Sequence, residues 1–312
     1  MNGSPQERIL VVKLGALGDV VLALGPMAAI RRHHSQAHIV LLTTRPFADL
    51  GRACPFVDEV WVDSRPSLMK SPWGVWRLRH RLVAGRFDMV YDLQTSDRSS
   101  FYFQLMWPRR PQWSGIARGA SHPHDNPRRD FMHTIDRQRD QLARAGIADV
   151  PAPDLSWLSG DISGLGLDER PLLLLVPGGS AHRPEKRWPA GRYGELAAAY
   201  LARDWQVAVL GSGLEADIAA EIRRMAPATL DLAGRTGFGE LASLGRKAAH
   251  AIGNDTGPMH ILSAAGAPST VLFSSASDPD LTRPVGPRVT VLRRQRLADL
   301  AMAEVAATVA AE

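Results

Sequence analysis

The chain of 312 residues has one cysteine, four lysines and no long apolar run, and these shortages exclude several classes of protein. The single Cys54 cannot form an internal disulfide, and one thiol cannot build a zinc site made of cysteines. No uninterrupted apolar segment approaches the roughly 20 residues that a membrane-spanning helix requires. Residues 1–8 are polar and lack the apolar core of a signal peptide. We therefore expect a cytoplasmic protein.

The positive charge is concentrated in the first half of the chain. The net charge is +5, with +6 in residues 1–158 and −1 in residues 159–312. A basic half suits nucleic acid, anionic lipid or a phosphorylated substrate, although charged runs are also typical of an ordinary solvated surface. No zinc-finger spacing or RNP-type aromatic motif accompanies the charge, so we do not expect nucleic acid as a partner.

Short apolar segments alternate with helical patterns along the whole chain. Strands are predicted at 9–13, 38–42, 57–63, 87–93, 172–176, 206–210, 229–232, 250–252, 269–273 and 289–292. Helices are predicted at 20–32, 47–53, 75–84, 134–145, 192–203, 216–225, 240–248, 258–265 and 297–311. Residues 107–131 are rich in Pro, Arg and His, which predicts a long loop.

Two prolines at 151 and 153 predict a linker over residues 151–158. The β/α units on either side predict an α/β protein of two Rossmann-like, doubly wound domains, residues 1–150 and 159–312, facing a cleft. In such sheets, ligands bind at the carboxyl ends of the strands.

The first predicted strand ends in a glycine turn that contains Gly15 and Gly18 and is followed by Asp19. The spacing is neither the GxGxxG dinucleotide fingerprint nor a P-loop, so Asp19 is the group that this turn would present. As an N-cap, Asp19 would hold backbone amides, its pKa would fall, and it would be a poor base. As a general base, it would have to reach an acceptor hydroxyl. Local sequence leaves both roles open.

Residues 252–260 predict a strand, a tight turn and a helix start, with Pro258 at an early helical position. The amino end of that helix could hold a phosphate on its N–H groups while Asp255 accepts hydrogen bonds from sugar hydroxyls. The alternative is that Asp255 or Thr256 only caps the helix.

Two of the four lysines, Lys13 and Lys186, lie in strand-end turns of a chain that has 33 arginines. A compact ammonium suits a diphosphate where a guanidinium would not fit. We expect phosphate contact for Lys186, in its Gly/Ser loop, and simple solvation at the strand end for Lys13. Glu215 would either bond a ribose or serve as a first-turn helix acid.

Two tryptophans and one acidic segment are not expected to bind ligands or metal. Trp73 and Trp76 are expected to pack rather than to bind ligands. The Asp278-Pro-Asp280 segment looks like a metal-binding DxD motif but lacks further ligands nearby, so no metal is expected there.

The chain resembles the bacterial heptosyltransferase family of glycosyltransferases, family nine, which includes lipopolysaccharide core heptosyltransferases. Three blocks carry the resemblance: residues 9–20 with Lys-Leu-Gly-Ala-Leu-Gly-Asp, 177–189 with Lys-Arg-Trp-Pro, and 231–273 with Gly-Asn-Asp-Thr-Gly-Pro-Met-His. The segment His-Thr-Ile-Asp-Arg at 133–137 is a weaker fourth match.

The resemblance implies a GT-B fold, in which the first domain binds the acceptor and the second binds the nucleotide sugar. It implies an inverting transfer without metal or other cofactor, with heptose from ADP-heptose passing to a lipopolysaccharide core or a related phosphorylated glycolipid. Peripheral contact with the inner face of the bacterial inner membrane would follow. Asp19 is implied as the general base and Lys186 as the group that offsets charge on the leaving diphosphate. The implied donor-binding residues are Ser180, Lys186, Glu215, Asp255, Thr256, Gly257 and His260.

Two alternatives remain at this point. A nucleotide-sugar epimerase of similar two-domain build would need no separate acceptor site. The other is a catalytically silent sugar-nucleotide-binding protein that assists envelope assembly, and the presence of both Asp19 and Lys186 argues against it.

Overall fold

The computed structural model describes residues 6–179 and 182–309. Contacts between Cα atoms divide the chain into two compact units, Met1–Pro153 and Asp154–Glu312, and the boundary lies inside the segment 151–158. In the described ranges, each helix is too short or too polar to traverse a bilayer.

The first unit is built on a parallel six-stranded sheet. Its strands are β1 (Arg8–Val12), β2 (His38–Thr43), β3 (Glu59–Val62), β4 (Met89–Asp92), β5 (Gln112–Gly115) and β6 (His122–Pro123). Its helices are α1 (Leu17–Leu22), α2 (Leu24–His33), α3 (Ala48–Ala53), α4 (Pro72–Ala84), α5 (Asp97–Leu105) and α6 (Thr134–Arg144). The strand order is β3-β2-β1-β4-β5-β6, and every neighbouring pair is parallel.

The second unit repeats this architecture. Its strands are β7 (Leu172–Val176), β8 (Gln206–Val209), β9 (Leu230–Asp231), β10 (His250–Asn254), β11 (Ser269–Phe273) and β12 (Val289–Arg293). Its helices are α7 (Ala190–Leu201), α8 (Ala216–Met225), α9 (Phe238–Lys247), α10 (Gly257–Ala264), α11 (Pro279–Thr282) and α12 (Met302–Ala306). The order is β12-β11-β10-β7-β8-β9, again with parallel pairs throughout.

Each sheet is covered by its own apolar core. The central strands β1 and β7 are almost continuously apolar, as expected of parallel strands buried on both faces, and β10 is buried along its whole length although it contains His250 and Asn254. In the first unit, Trp113 and Tyr102 pack against β1 and β4. In the second unit, Trp188 and Tyr193 pack against β7 and β8, with ring centroids 4.8 Å apart. The prediction of an α/β protein with two Rossmann-like sheets is confirmed.

The prediction of a long loop over residues 107–131 is wrong, because this stretch supplies β5 and β6. Strand β5 has only four residues, too few for a periodic pattern to show, yet Trp113 and Ser114 are fully buried. The side-chain amide of Gln141 on α6 donates to the carbonyls of Asp92 and Ser114, which ties that helix to the ends of β4 and β5.

Two helical regions of the structure also differ from the predictions. Helix α5 was not predicted, although Ser96 caps it by accepting the N–H of Ser99 at 3.3 Å. The predicted helix over 297–311 is interrupted: a short 3-10 turn, Leu297–Asp299, is followed by extended Leu300 and only then by α12. Leu300 is fully buried, and its carbonyl accepts the indole N–H of Trp188, which explains why the backbone leaves the helical path there.

Candidate functional site

In the second unit, β7 and β10 are neighbours at the point where the strand order reverses. From β7 the chain continues through β8 and β9 on one side of the sheet, and from β10 it continues through β11 and β12 on the other. Ligands of doubly wound sheets bind outside the carboxyl ends of the strands at such a point. The segments 177–189 and 255–260 follow these two strands directly, and they contain most of the predicted donor residues.

The side chain of Asn254 joins these two segments. It is fully buried at the end of β10, and its amide group donates to the carbonyls of Pro177 at 2.7 Å and Gly178 at 3.1 Å. Its Oδ1 accepts the backbone N–H of Trp188 and the hydroxyl of Tyr193, both at 3.0 Å. The Asn254 amide therefore makes all of its hydrogen bonds inside the protein: its NH₂ group donates two and its oxygen accepts two. These bonds hold both ends of the loop after β7.

Lys186 and Asp255 are brought together by this arrangement. Lys186 ends a 3-10 turn, Pro184–Lys186, and its Nζ donates to Asp255 Oδ2 at 2.7 Å. The two side chains are 14% and 10% exposed, so the ion pair is largely shielded but can still be reached from solvent. Asp255 is also positioned through its backbone, since its N–H donates to the carbonyl of Leu272 on β11.

The amino end of α10 lies directly after this ion pair. Thr256 is the N-cap residue, and its side chain makes no capping hydrogen bond. Pro258 occupies the first turn, as the sequence predicted, and it follows the partly exposed Thr256 and Gly257. His260 is 5% exposed within the helix. The interpretation of Thr256 as a capping side chain is therefore wrong, and its hydroxyl is at the helix end, where an anion is favoured.

A glycine is required at the end of β10 because three elements meet there. A Cβ at Gly253 would lie 2.6 Å from the Cβ of Val176 on β7 and 2.7 Å from the sulfur of Met259 on α10. A larger residue at this position would therefore force Val176 on β7 and the Met259 side chain on α10 to shift.

Glu215 lies at the neighbouring strand end, after β8. Its Oε2 accepts the backbone N–H of Ser212 at 2.8 Å and the Ser212 hydroxyl at 2.5 Å. Its side chain lies against Gly178 and Gly211, where added Cβ atoms would meet it at 3.0 Å. Glu215 therefore acts as a first-turn acid, as one of the two predicted roles required. Its side chain is also close to the loop after β7. Ser180 lies outside the described residues.

The corresponding point in the first unit holds buried charges. Lys13, directly after β1, is 3% exposed, and its Nζ donates to the carbonyl of Leu93 at 3.1 Å. The expectation that Lys13 is solvated is therefore wrong. Burial lowers its pKa, an effect that Asp19 and Asp92 oppose and Arg137 reinforces.

Asp92, the last residue of β4, is fully buried. Burial raises its pKa to about 6, although the N–H groups of Thr95 and Gln94, the Ser99 hydroxyl and the Lys13 ammonium favour the carboxylate. Its Oδ1 accepts the N–H groups of Gln94 and Thr95 at 3.1 and 2.9 Å. Sequence reasoning missed this residue, although its place at a strand end followed by a polar turn is a usable signal.

Asp19 is the third residue of α1, and its Oδ2 accepts the N–H of Ala16 at 3.1 Å. It is thus not the N-cap but closes the turn from inside the helix, and it is partly exposed. The turn depends on Gly15, which has a φ of +127° and no room for a Cβ beside the ring of Phe47. Asp19 interacts electrostatically with Lys13 and with Arg137 of α6.

Outside these two points, Asp278 accepts the N–H of Asp280 and so begins α11. Among residues 6–179 and 182–309, no group of three or more His, Cys, Asp or Glu side chains is arranged to hold a metal ion.

Residues 75–308 match the model of glycosyltransferase family 9 (heptosyltransferase). The chain belongs to that family. The predicted family and the predicted class of enzyme are therefore confirmed. The matched range contains Lys186 and Asp255 but begins after Asp19, so the match says nothing about Asp19.

Relatives of this glycosyltransferase carry related names. Lipopolysaccharide heptosyltransferase 2 of Escherichia coli K12 is 31% identical over 316 residues, which cover 92% of this chain and 88% of that protein. Lipooligosaccharide heptosyltransferase 2 of Haemophilus influenzae Rd is 33% identical over 132 residues, which cover 41% of this chain and 38% of that protein.

Two solved structures share the fold of this glycosyltransferase. A family 9 glycosyltransferase from Veillonella parvula superposes with a TM-score of 0.83 at 21% identity, covering 97% of this chain and 95% of that one. The E. coli ADP-heptose LPS heptosyltransferase II gives 0.77 at 21% identity, with 96% and 97% covered. The predicted GT-B class is confirmed by this likeness.

Replacing Asn254 should show that its hydrogen bonds hold the loop after β7 in place. Asn254→Ala leaves the Trp188 N–H and the Pro177 carbonyl without a partner inside the protein, so we expect the free energy of unfolding to fall by at least about 2 kcal/mol. Tyr193→Phe removes a single hydrogen bond and should cost about 1 kcal/mol.

A double-mutant cycle in urea provides the control. In the Asn254→Ala background, Tyr193→Phe should have almost no further effect, because the two residues act through one bond. Fully additive losses would show that Asn254 and Tyr193 stabilise the unit independently.

Asp92 should make the stability of the first unit pH-dependent. Because its pKa in the folded protein is raised from 3.8 to about 6, its contribution is complete below about pH 4 and is lost as the pH rises through 6. Relative to Asp92→Asn, the wild-type protein should lose about 2 kcal/mol of unfolding free energy between pH 4 and pH 7.5. Urea denaturation at the two pH values measures this difference, with the exposed Asp97→Asn as control. Parallel pH profiles for wild type and Asp92→Asn would contradict the buried titration.

Proposed function

We propose that this glycosyltransferase transfers heptose from ADP-heptose to a lipopolysaccharide core or a related envelope glycan, with inversion at the anomeric carbon. The names of the E. coli relative and of the similar E. coli structure support the sugar, the nucleotide and the acceptor. The observation that carries the donor half is the Lys186–Asp255 ion pair at the strand-order reversal of the second unit.

The second unit is proposed to bind the nucleotide sugar. A lysine ammonium has three donors, so Lys186 can keep its bond to Asp255 and still donate to a diphosphate oxygen. Gly257 and the Thr256 hydroxyl add polar groups at the positive end of α10. Asp255 accepts from the sugar hydroxyls, and Glu215, at the next strand end, accepts from the ribose. Ser180 and His260 complete the proposed donor set.

The first unit is proposed to bind the acceptor, with Asp19 as the general base. A carboxylate has more acceptor positions than its single bond to the Ala16 N–H uses, so Asp19 can hold the turn and also take a proton. Lys13 and Arg137 supply positive charge near it, which suits a phosphorylated acceptor.

The reaction is a single displacement. Asp19 takes the proton of the acceptor hydroxyl, and that oxygen forms a bond to the anomeric carbon. The bond between the anomeric carbon and the diphosphate oxygen breaks at the same time, and Lys186 offsets the charge that develops on the departing ADP. Since no covalent sugar–enzyme intermediate forms, the configuration at the anomeric carbon inverts. We place this reaction in the cytoplasm, at the inner face of the inner membrane.

Nucleotide release tests the proposed function directly. The protein is incubated with ADP-heptose, and with other ADP- and UDP-sugars, in the presence and absence of deacylated lipopolysaccharide core. We expect ADP release from ADP-heptose that depends on the core acceptor. Conversion of the sugar without acceptor would instead identify an epimerase, and binding without turnover would identify a silent protein.

Asp19→Asn should separate base catalysis from donor binding. The amide oxygen can still accept the Ala16 N–H, but it cannot take a proton, so we expect transfer to fall by about 10²- to 10⁴-fold. The dissociation constant for ADP, measured by calorimetry, should stay within about twofold of wild type. The exposed first-turn acid Asp97→Asn is the matched control, and near-normal transfer by Asp19→Asn would remove the base assignment.

Lys186→Ala should weaken both binding and turnover. Removing the ammonium leaves Asp255 unpaired beside the diphosphate site and takes away the charge that stabilises the leaving group. We expect weaker ADP binding together with a kcat at least about 100-fold lower. Lys247→Ala, an exposed lysine in the last turn of α9, is the control. Unchanged ADP affinity in Lys186→Ala would refute phosphate contact.

A further inference from the structure

Helix α4 presents an aromatic face to solvent that the fold does not use. Only Val75 and Leu82 of this helix are buried. Trp73 and Trp76 are 65% and 50% exposed, their rings stack with centroids 4.6 Å apart, and the His80 ring stacks on Trp76. These tryptophans, which were expected to pack rather than to bind ligands, thus pack against each other and leave much of each ring exposed.

Further exposed apolar groups adjoin this face. Met69 is 96% exposed just before α4, and Val83 is exposed near the end of the helix. Trp107 is 63% exposed, and its carbonyl accepts a hydrogen bond from Arg79 of α4 at 2.9 Å, which fixes it beside the helix. We call Met69, Trp73, Trp76, His80, Val83 and Trp107 the tryptophan face.

The surroundings of the tryptophan face are strongly basic. Residues 64–87 contain five arginines, one lysine and no acidic residue, and residues 98–124 contain four arginines and again no acid. Within the part of the chain that the structure describes, Arg77, Arg79 and Arg109 form no salt bridge with a carboxylate. Their charge is therefore not neutralised by neighbouring side chains.

Residues of the tryptophan face and several of these arginines line one open cleft of about 630 Å³. Arg79, Arg86, Arg109 and Arg110 line it together with the apolar Val83 and Phe87. Arginines can donate two parallel hydrogen bonds to a phosphate, and apolar side chains beside them suit the start of an acyl chain.

We propose that the tryptophan face and its arginines dock this glycosyltransferase on an anionic lipid bilayer. Tryptophan prefers the level of the headgroups, where its ring is buried and its indole N–H stays wet. Arginines near that level are attracted to anionic headgroups. The positive charge extends over two separate stretches of sequence around the aromatic rings, which suits an extended anionic surface such as a bilayer. The proposal rests on the proposed function for its setting, since a glycolipid acceptor lies in a membrane, but docking itself needs no substrate.

Vesicle flotation with the full chain tests the docking surface. The protein should float with vesicles of phosphatidylglycerol and phosphatidylethanolamine, and it should bind vesicles of phosphatidylcholine far more weakly. Binding should weaken as salt rises, because the attraction between exposed charges is screened. Equal binding to both vesicle types, or binding that does not respond to salt, would overturn the proposal.

Two variants divide the aromatic and charge contributions. Trp73→Ser/Trp76→Ser should reduce partition into anionic vesicles by about tenfold or more, and Arg77→Gln/Arg109→Gln should reduce it by roughly thirtyfold. The controls are Phe131→Ser, an exposed aromatic of the same unit, and Arg223→Gln/Arg224→Gln on α8. Equal losses in the controls would contradict a specific face, and thermal unfolding by circular dichroism confirms that each variant is folded.

Two readouts distinguish membrane docking from self-association of the protein. Brominated lipids should quench wild-type tryptophan fluorescence, and this quenching should be much weaker in Trp73→Ser/Trp76→Ser, in which Trp107 is the tryptophan that remains on the face. Sedimentation of the wild-type protein without lipid should show no self-association that depends on these tryptophans, since such association would assign the face to a second copy.

A soluble acceptor separates the docking surface from the proposed function. Transfer to a deacylated, water-soluble core should be unchanged in both variants, because that acceptor does not have to be reached at a bilayer. Absence of this soluble activity in the wild type would reject the proposed function, whereas normal soluble activity without vesicle binding would reject only the docking surface.

Discussion

The four hydrogen bonds of the Asn254 side chain hold together the part of the second unit on which the proposed donor binding depends. Because the amide is fully buried, no water can replace a lost partner. One neutral side chain thus fixes both ends of a loop that carries Lys186, and it sits one residue before Asp255. The Lys186–Asp255 pair therefore owes its position to an uncharged residue, which leaves the ammonium with donors for a ligand.

The two units have different side chains at the point where the strand order of each sheet reverses. The second unit places a neutral amide under its strand-order reversal, whereas the first places Lys13 and Asp92 there, both almost without exposure. Burial opposes the charge on each of them, as the lowered pKa of Lys13 and the raised pKa of Asp92 show. A buried charged network of this kind costs stability, and its Lys13 interacts electrostatically with Asp19, the proposed general base.

The sequence predicted the elements that have long apolar patterns and missed those that depend on tertiary contacts. β7, α8 and β11 were placed correctly because each is bounded by clear turn residues. β5 was missed because its burial comes from neighbours rather than from its own four residues. At the site, motif and strand-end position located Lys186 and Asp255, but the ion pair between side chains 69 residues apart could come only from the fold. The exposure of Trp73 and Trp76 was equally out of reach, since composition does not say which face of a helix is covered.

The edges of the two sheets bear on how the protein behaves at high concentration. The sheets end in β3 and β6 in one unit and in β12 and β9 in the other. Strands β6 and β9 have two residues each, too few to template pairing with a strand of another molecule. Strand β3 begins with an exposed glutamate, and β12 ends with an exposed arginine. Short and charged borders discourage edge-to-edge pairing, so the two sheets that residues 6–179 and 182–309 form offer little edge on which strands of other molecules could add.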